Sequence, residues 1–227
     1  MAIRLVIFDM AGTTVDDKDY VSEALIKGFK NQGYQITVDD ANSVMGIPKP
    51  VAIKTLLSGK FSVKDTKGEL TGKIHKVFAE EMIAFYRTDP SVKSKKNAEK
   101  VFKQLREKGI KVGINTGFSR DIADTIMNRL KWKERNFIDH SVTSDEVPKG
   151  RPYPDMIFKA MKDLKIISRA EVAKVGDTVS DLKEGMAAGC KYVIGITTGA
   201  YKRAELEVEK RTHLIDDLTE VLEIVTK

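Results

Sequence analysis

One cysteine, one tryptophan and six prolines stand among 227 residues, and no apolar run approaches the length of a membrane span. The single thiol, Cys190, excludes an internal disulfide framework and fits a reducing compartment. Its setting, Ala-Ala-Gly-Cys-Lys-Tyr-Val, reads as a helix end entering a strand, so a buried structural thiol is expected. Residues 1–9 carry no basic leader followed by a long apolar stretch, so neither a signal peptide nor a membrane anchor is expected there. A cytoplasmic protein without a membrane partner is the expectation. His75, His140 and His213 have no partners at metal-ligand spacing and read as structural or surface residues. Trp132, set among lysines and arginines, could stack on a cation. Zinc-finger spacing, aromatic-rich RNA-binding strands and a Gly-x-Gly-x-x-Gly turn are all missing. The net charge of +6 is spread over segments where lysine alternates with glutamate, as in Lys-Asn-Ala-Glu-Lys-Val-Phe-Lys-Gln-Leu-Arg-Glu-Lys. That pattern describes solvated helix faces, so no nucleic-acid partner is expected, only a mild attraction for small anions.

What the chain does have is alternation. Leu5–Phe8, Ile110–Ile114, Val172–Val175 and Tyr192–Ile196 are short apolar runs, each followed by a polar or glycine-containing loop and a helical pattern. These are βα units, and they predict an α/β fold: a doubly wound, Rossmann-like parallel sheet covered on both faces. Ligands of such sheets bind beyond the carboxyl ends of the strands. Asp9, Thr116 and Asp177 each follow such a run, so they are expected to meet at one sheet edge.

Between the first run and Ile110 no strong strand candidate is seen. Val21–Gly33, Pro50–Leu57 and Lys73–Arg87 instead carry apolar residues at helical spacing, with Lys60–Gly72 expected as a loop. Residues 16–90 are therefore read as a helical cap inserted into a core made of residues 1–15 and 91–227. Apolar faces on the cap helices could pair two subunits into a homodimer.

Four motifs carry the chemistry. Phe8-Asp9-Met10-Ala11-Gly12-Thr13-Thr14-Val15-Asp16 puts a carboxylate among backbone N–H donors, suited to metal ligation or attack on phosphorus. Asn115-Thr116-Gly117-Phe118-Ser119-Arg120 offers a hydroxyl and N–H groups to an anion, and equally a Ser119 helix cap. Lys149-Gly150-Arg151-Pro152-Tyr153-Pro154 fixes the backbone around Arg151, a candidate phosphate holder and a counter-charge to nearby carboxylates. In Gly176-Asp177-Thr178-Val179-Ser180-Asp181, two carboxylates at a strand-to-helix junction can face one point, as Mg²⁺ prefers. Capping by Asp177 would explain one of them and leave the second unused.

In this order, each at a strand end, the four motifs resemble the haloacid dehalogenase superfamily over the whole chain. The resemblance implies an aspartate nucleophile, here Asp9, and Mg²⁺ held by Asp9, the Ala11 carbonyl and Asp177 with Asp181 close by. It implies phosphoryl binding by Thr116 and Arg151, with Gly12, Thr13, Met45 and Gly117 lining the substrate site.

One position departs from the superfamily's phosphatases, which carry a second, acid-donating aspartate two residues after the nucleophile; here that place holds Ala11. The phosphonoacetaldehyde hydrolase subgroup is known for this alanine. Its first motif is similar to Asp-Met-Ala-Gly-Thr-Thr-Val-Asp, and Met45-Gly46-Ile47-Pro48-Lys49 resembles its Met-Gly-x-x-Lys cap segment. The resemblance implies a Schiff base on Lys49 that turns a carbanion leaving group into an enamine. Two positions differ from the subgroup: Ala52 replaces a histidine and Phe118 an aromatic hydroxyl. The expected substrate is a small phosphonate such as phosphonoacetaldehyde. A phosphatase of a small phosphorylated metabolite and a non-catalytic phospho-ligand module are the alternatives.

Overall fold

In the computed structural model, residues 1–16 and 19–227 are described. Leu5–Phe8 (β1) is buried at every position, and a strand of that kind needs partners on both edges and cover on both faces. β2 (Lys111–Thr116) and β4 (Val172–Gly176) flank it in parallel, with Phe8 opposite Ile114 on one side and Val175 on the other. β3 (His140–Thr143), β5 (Tyr192–Ile196) and β6 (His213–Ile215) extend a six-stranded sheet in the order β3-β2-β1-β4-β5-β6. Every pairing is parallel. The winding reverses at β1, so the crevice beyond the carboxyl ends of β1 and β4 is the place such sheets offer a ligand.

The chain supplies ten α-helices among the described residues: α1 (Tyr20–Asn31), α2 (Val38–Asn42), α3 (Lys49–Phe61), α4 (Glu69–Thr88), α5 (Ala98–Glu107), α6 (Arg120–Arg129), α7 (Asp155–Asp163), α8 (Val179–Ala188), α9 (Arg203–Glu207) and α10 (Glu220–Val225). Strand alternation sorts the cover. Val6 and Phe8 join the cluster of Val101, Phe102 and Ile122 from α5 and α6, whereas Leu5 and Ile7 join Met156, Ile157 and Ala160 of α7. Phe8 meets Phe102 edge-on at 5.3 Å, and Phe102 meets Trp132 the same way at 5.3 Å. Trp132 is thus a fully buried core residue whose indole donates to Ser94 Oγ at 3.1 Å, and not a surface stacker. The indole is bicyclic and apolar, so burial outweighs its basic neighbours in sequence.

Four helices, α1 to α4, stand between β1 and α5. Phe29, Ile53, Leu57, Ile74, Phe78 and Met82 close their apolar faces on one another. The chain passes out and back through two adjacent segments, with Asp16 N–H donating to Lys93 O and Lys95 N–H to Thr14 O. The expected Lys60–Gly72 loop is shorter than the polar composition suggested. α3 runs on to Phe61, whose ring packs against Phe29 and Tyr34, and α4 begins at Glu69. None of these helices is long and apolar enough to cross a membrane.

Candidate active site

Asp9 follows β1 directly and is buried at 5% exposure. The turn after it folds back on itself. Thr14 Oγ1 donates to the Asp9 carbonyl at 2.7 Å, and Val15 N–H to Met10 O. Gly12 has φ +83°, and a Cβ there would lie 2.5 Å from Asp177 Oδ2, so the first-motif turn wraps the second carboxylate too tightly for any side chain. Thr13 Oγ1 donates to Asp177 Oδ1 at 2.7 Å, and Ala200 N–H donates to Asp177 Oδ2 at 2.8 Å.

Capping at α8 does not fall to Asp177, the alternative use of that carboxylate. Thr178, not Asp177, is the N-cap, its Oγ1 accepting from Asp181 N–H, while Asp181 Oδ2 accepts from Thr178 N–H at 3.2 Å and from the Thr178 hydroxyl at 2.6 Å. This reciprocal box satisfies two orphan donors of the first turn and leaves Asp177 outside the helix, facing Asp9. One oxygen each of Asp9, Asp177 and Asp181 lies within 4.8 Å of the others.

Behind these carboxylates is a buried ionic ring. The Arg151 side chain is 1% exposed; its Nη1 ion-pairs with Asp9 Oδ1 at 2.7 Å and Asp181 Oδ1 at 3.0 Å. Its Nε donates to Glu184 Oε2 at 3.0 Å, and its Nη2 to the Asn115 carbonyl and Oδ1 at 2.7 and 2.8 Å. Lys174 Nζ donates to the same Asn115 Oδ1 at 2.7 Å and pairs with Asp181 at 2.8 Å. Asn115 Nδ2 closes the ring on Glu184 Oε1 at 2.8 Å.

The electrostatics call for a cation. Four buried carboxylates, Asp9, Asp177, Asp181 and Glu184, share two buried cations behind them, Arg151 and Lys174, while a third buried amine, Lys49, stands across the cavity. Burial pushes the Asp177 carboxyl up to about 7, and the negative charges of Asp9 and Asp181 add to it. Burial also raises Asp9, only partly offset by Arg151. Asp181, though equally buried, is held low by Arg151 and Lys174. Burial opposes the Arg151 charge, but Asp181, Asp9 and Glu184 more than restore it. The three clustered carboxylates form an all-oxygen donor set that fits Mg²⁺ well, and a divalent ion there would offset their mutual repulsion.

A cavity of about 200 Å³ opens over Asp9 and is lined by Ala11, Gly12, Thr116, Gly117, Arg151 and Asp177 from the sheet edge. Met45 and Lys49 close it from the other side. Lys49 is 3% exposed, with its Nζ 3.8 Å from Met45 Sδ and 5.8 and 5.9 Å from the Phe78 and Phe118 ring centres. The strap of residues 45–49 lies hard against the core. A Cβ on Gly117 would come 2.9 Å from the Ile47 carbonyl, and Arg151 Nη1 donates to the Gly46 carbonyl at 3.4 Å.

Most residues singled out in the sequence therefore converge. Asp9, Ala11, Gly12, Met45, Lys49, Thr116, Gly117, Arg151 and Asp177 share one cavity. Thr13 and Asp181 stand behind it, holding Asp177 and the two buried cations respectively. Asn115, Lys174 and Glu184 were missed. Lys174 did leave a trace, a lysine inside the apolar run Val172–Val175. Ser119 takes the N-cap place of α6, but its hydroxyl donates to Asp121. Cys190 is half-buried, and burial drives its thiol up to about 12.

Comparison with known proteins agrees with this geometry. A family model for haloacid dehalogenase-like hydrolases matches residues 6–195. A phosphonoacetaldehyde hydrolase from Bacillus cereus (strain G9842) is 34% identical over 234 residues, covering 99% of this chain and 87% of the relative. One from Bacillus cytotoxicus is 32% identical over 100% of this chain and 88% of its own. Among solved structures, a phosphonoacetaldehyde hydrolase-like protein from Oleispira antarctica superposes with a TM-score of 0.84 at 22% identity, over 100% of this chain and 92% of that one. A hydrolase from Pseudomonas syringae gives 0.86 at 21% identity, covering 100% of both. With its sheet, its strand-end carboxylates and these relatives, the chain belongs to the haloacid dehalogenase-like hydrolase family and is a hydrolytic enzyme.

Proposed function

We propose that this hydrolase cleaves the carbon–phosphorus bond of a small phosphonate of the phosphonoacetaldehyde type, with Asp9 as nucleophile and Lys49 as imine-forming amine. The observation that carries this reading is the pairing across one cavity of a buried lysine from the inserted helices with a strand-end aspartate that has alanine two residues on. Curated relatives with the phosphonoacetaldehyde hydrolase name at 32–34% identity support it.

Residues 16–90 act as the cap. Lys49 Nζ adds to the aldehyde carbon, and loss of water leaves an iminium. An Asp9 oxygen attacks phosphorus while the electrons of the breaking C–P bond flow into the iminium, giving an enamine and an aspartyl-phosphate. Water hydrolyses the acyl phosphate; the enamine takes up a proton and is hydrolysed to acetaldehyde, freeing Lys49. Asp9, the Ala11 carbonyl and Asp177, with Asp181 behind, would hold Mg²⁺, which would supply positive charge to the phosphoryl oxygens. Arg151 fixes the rotation of the Asp9 carboxylate, and Thr116 and Gly117 receive the phosphoryl group opposite it. Gly12 lets the turn after Asp9 close on Asp177, Thr13 holds Asp177, and Met45 shields the amine.

Acetaldehyde release from phosphonoacetaldehyde with Mg²⁺ tests the reading. Wild type turns over, and Lys49→Arg and Asp9→Asn do not. A second reading, hydrolysis of small phosphate esters, is favoured by the apolar Ala52 and Phe118, both buried where proton-transfer groups would assist an imine. Phosphate release from an ester panel, unaffected by Lys49→Arg and without acetaldehyde from the phosphonate, would establish it instead.

A further inference from the structure

Glu184 is fully buried, takes no part in lining the cavity, and carries a negative charge that the chemistry above does not use. A buried carboxylate is costly unless its charge and lone pairs are matched. Here they are matched by the cations of the site. Oε2 accepts from Arg151 Nε at 3.0 Å and lies 3.4 Å from Lys174 Nζ, while Oε1 accepts from Asn115 Nδ2 at 2.8 Å.

Arg151 and Lys174 both donate to the single Asn115 Oδ1, at 2.8 and 2.7 Å. Two cations converging on one neutral oxygen repel each other, and two anions offset this, Asp181 Oδ1 on the side of the site and Glu184 Oε2 behind it. With Nε taken by Glu184 and Nη2 by Asn115, the guanidinium plane is fixed, and Nη1 is the nitrogen turned toward Asp9 and Asp181.

We propose that Glu184 is a positioning residue: from behind the site it locks Arg151 in the plane that holds the Asp9 carboxylate at its attack angle. This rests on the reading of Asp9 as nucleophile. Glu184 does not line the cavity, and of its partners Arg151 is the one that reaches Asp9, so its effect on Asp9 runs through Arg151. A glutamine would keep the volume and the Asn115 contact but lose the charge that anchors Arg151 Nε, leaving Asp181 alone to bridge the two cations.

Trifluoroberyllate with Mg²⁺ provides the test, because it bonds to an aspartate nucleophile in place of a phosphoryl group whatever the substrate. Its affinity is measured by fluorine NMR for wild type, Glu184→Gln, Arg151→Lys and the double variant, alongside their thermal midpoints. Glu184→Gln is expected to weaken the complex by about tenfold, and the double variant to be no weaker than Arg151→Lys, the non-additivity of residues acting as one unit. A merely structural role would lower the midpoint while leaving affinity unchanged, or the two losses would add in full; either result overturns the proposal. If Glu184→Gln does not fold, Glu184→Asp, which keeps the charge but withdraws it from Nε, must show the same non-additivity. An adduct absent from wild type would overturn the nucleophile reading, and this proposal with it.

Discussion

At the scale of single residues, Asp177 responds most directly to its surroundings. Folded and metal-free, it titrates at about 7, against 3.8 for an ordinary aspartate. Between those two values the folded chain holds a proton that the unfolded chain has lost. Lowering the pH through this window therefore stabilises the fold, and raising it through 7 removes the gain. His75 and His213, both shifted down by burial, act in the opposite sense. Comparison with Asp177→Asn cancels them. Denaturant unfolding without metal should show wild type gaining on Asp177→Asn as the pH falls from roughly 8 to 5. A flat difference would mean that neither burial nor the like charges of Asp9 and Asp181 raise the Asp177 carboxyl. Mg²⁺ binds the ionised form, so its affinity, read by calorimetry, should fall as the pH drops below 7.

At the scale of elements, α8 and the 45–49 strap decide the geometry. Thr178→Ala removes the α8 cap and the hydroxyl that holds Asp181 Oδ2. A destabilisation of about 1 kcal/mol is expected from the cap alone, measurable by urea unfolding. Gly117→Ala would drive a methyl group into the Ile47 carbonyl and lift Lys49 away from Asp9. Turnover should drop on the order of 10- to 100-fold, with the thermal midpoint changed little by comparison, as expected when a reacting group is displaced by about an ångström. Legibility in the sequence also divides at this scale. β1, β2, β4 and β5 were readable because a fully buried parallel strand is a short apolar run between polar loops. Asp9, Thr116 and Asp177 followed because such strands end at one edge. β3, His-Ser-Val-Thr, has one apolar residue in four, and only its pairing with β2 makes it a strand.

Over the whole molecule, the buried ring of Arg151, Glu184, Asn115 and Lys174 was out of reach of any local pattern. Its members come from β2, β4, α8 and the loop before α7, with Asn115 and Glu184 69 positions apart. Periodicity places each residue on its own element, but only the docking of those elements shows which charges meet. Trp132 went astray for the same reason, since its cover comes from α5 and from Ser94. The clustering of Asp9, Asp177 and Asp181 leads to a further expectation. Dialysis against a chelator should abolish turnover, Mg²⁺ should restore it, and the metal should raise the thermal midpoint by relieving repulsion among Asp9, Asp177 and Asp181.

Capture of the imine bears most directly on the chemistry. Borohydride added during turnover of phosphonoacetaldehyde reduces an iminium to a stable secondary amine, and peptide mass spectrometry then locates it. A Lys49 imine predicts modification of Lys49 in wild type, dependent on substrate and absent from Lys49→Arg. Hydrolysis of the phosphonate with Lys49 unmodified, or modification scattered over surface lysines, would contradict it.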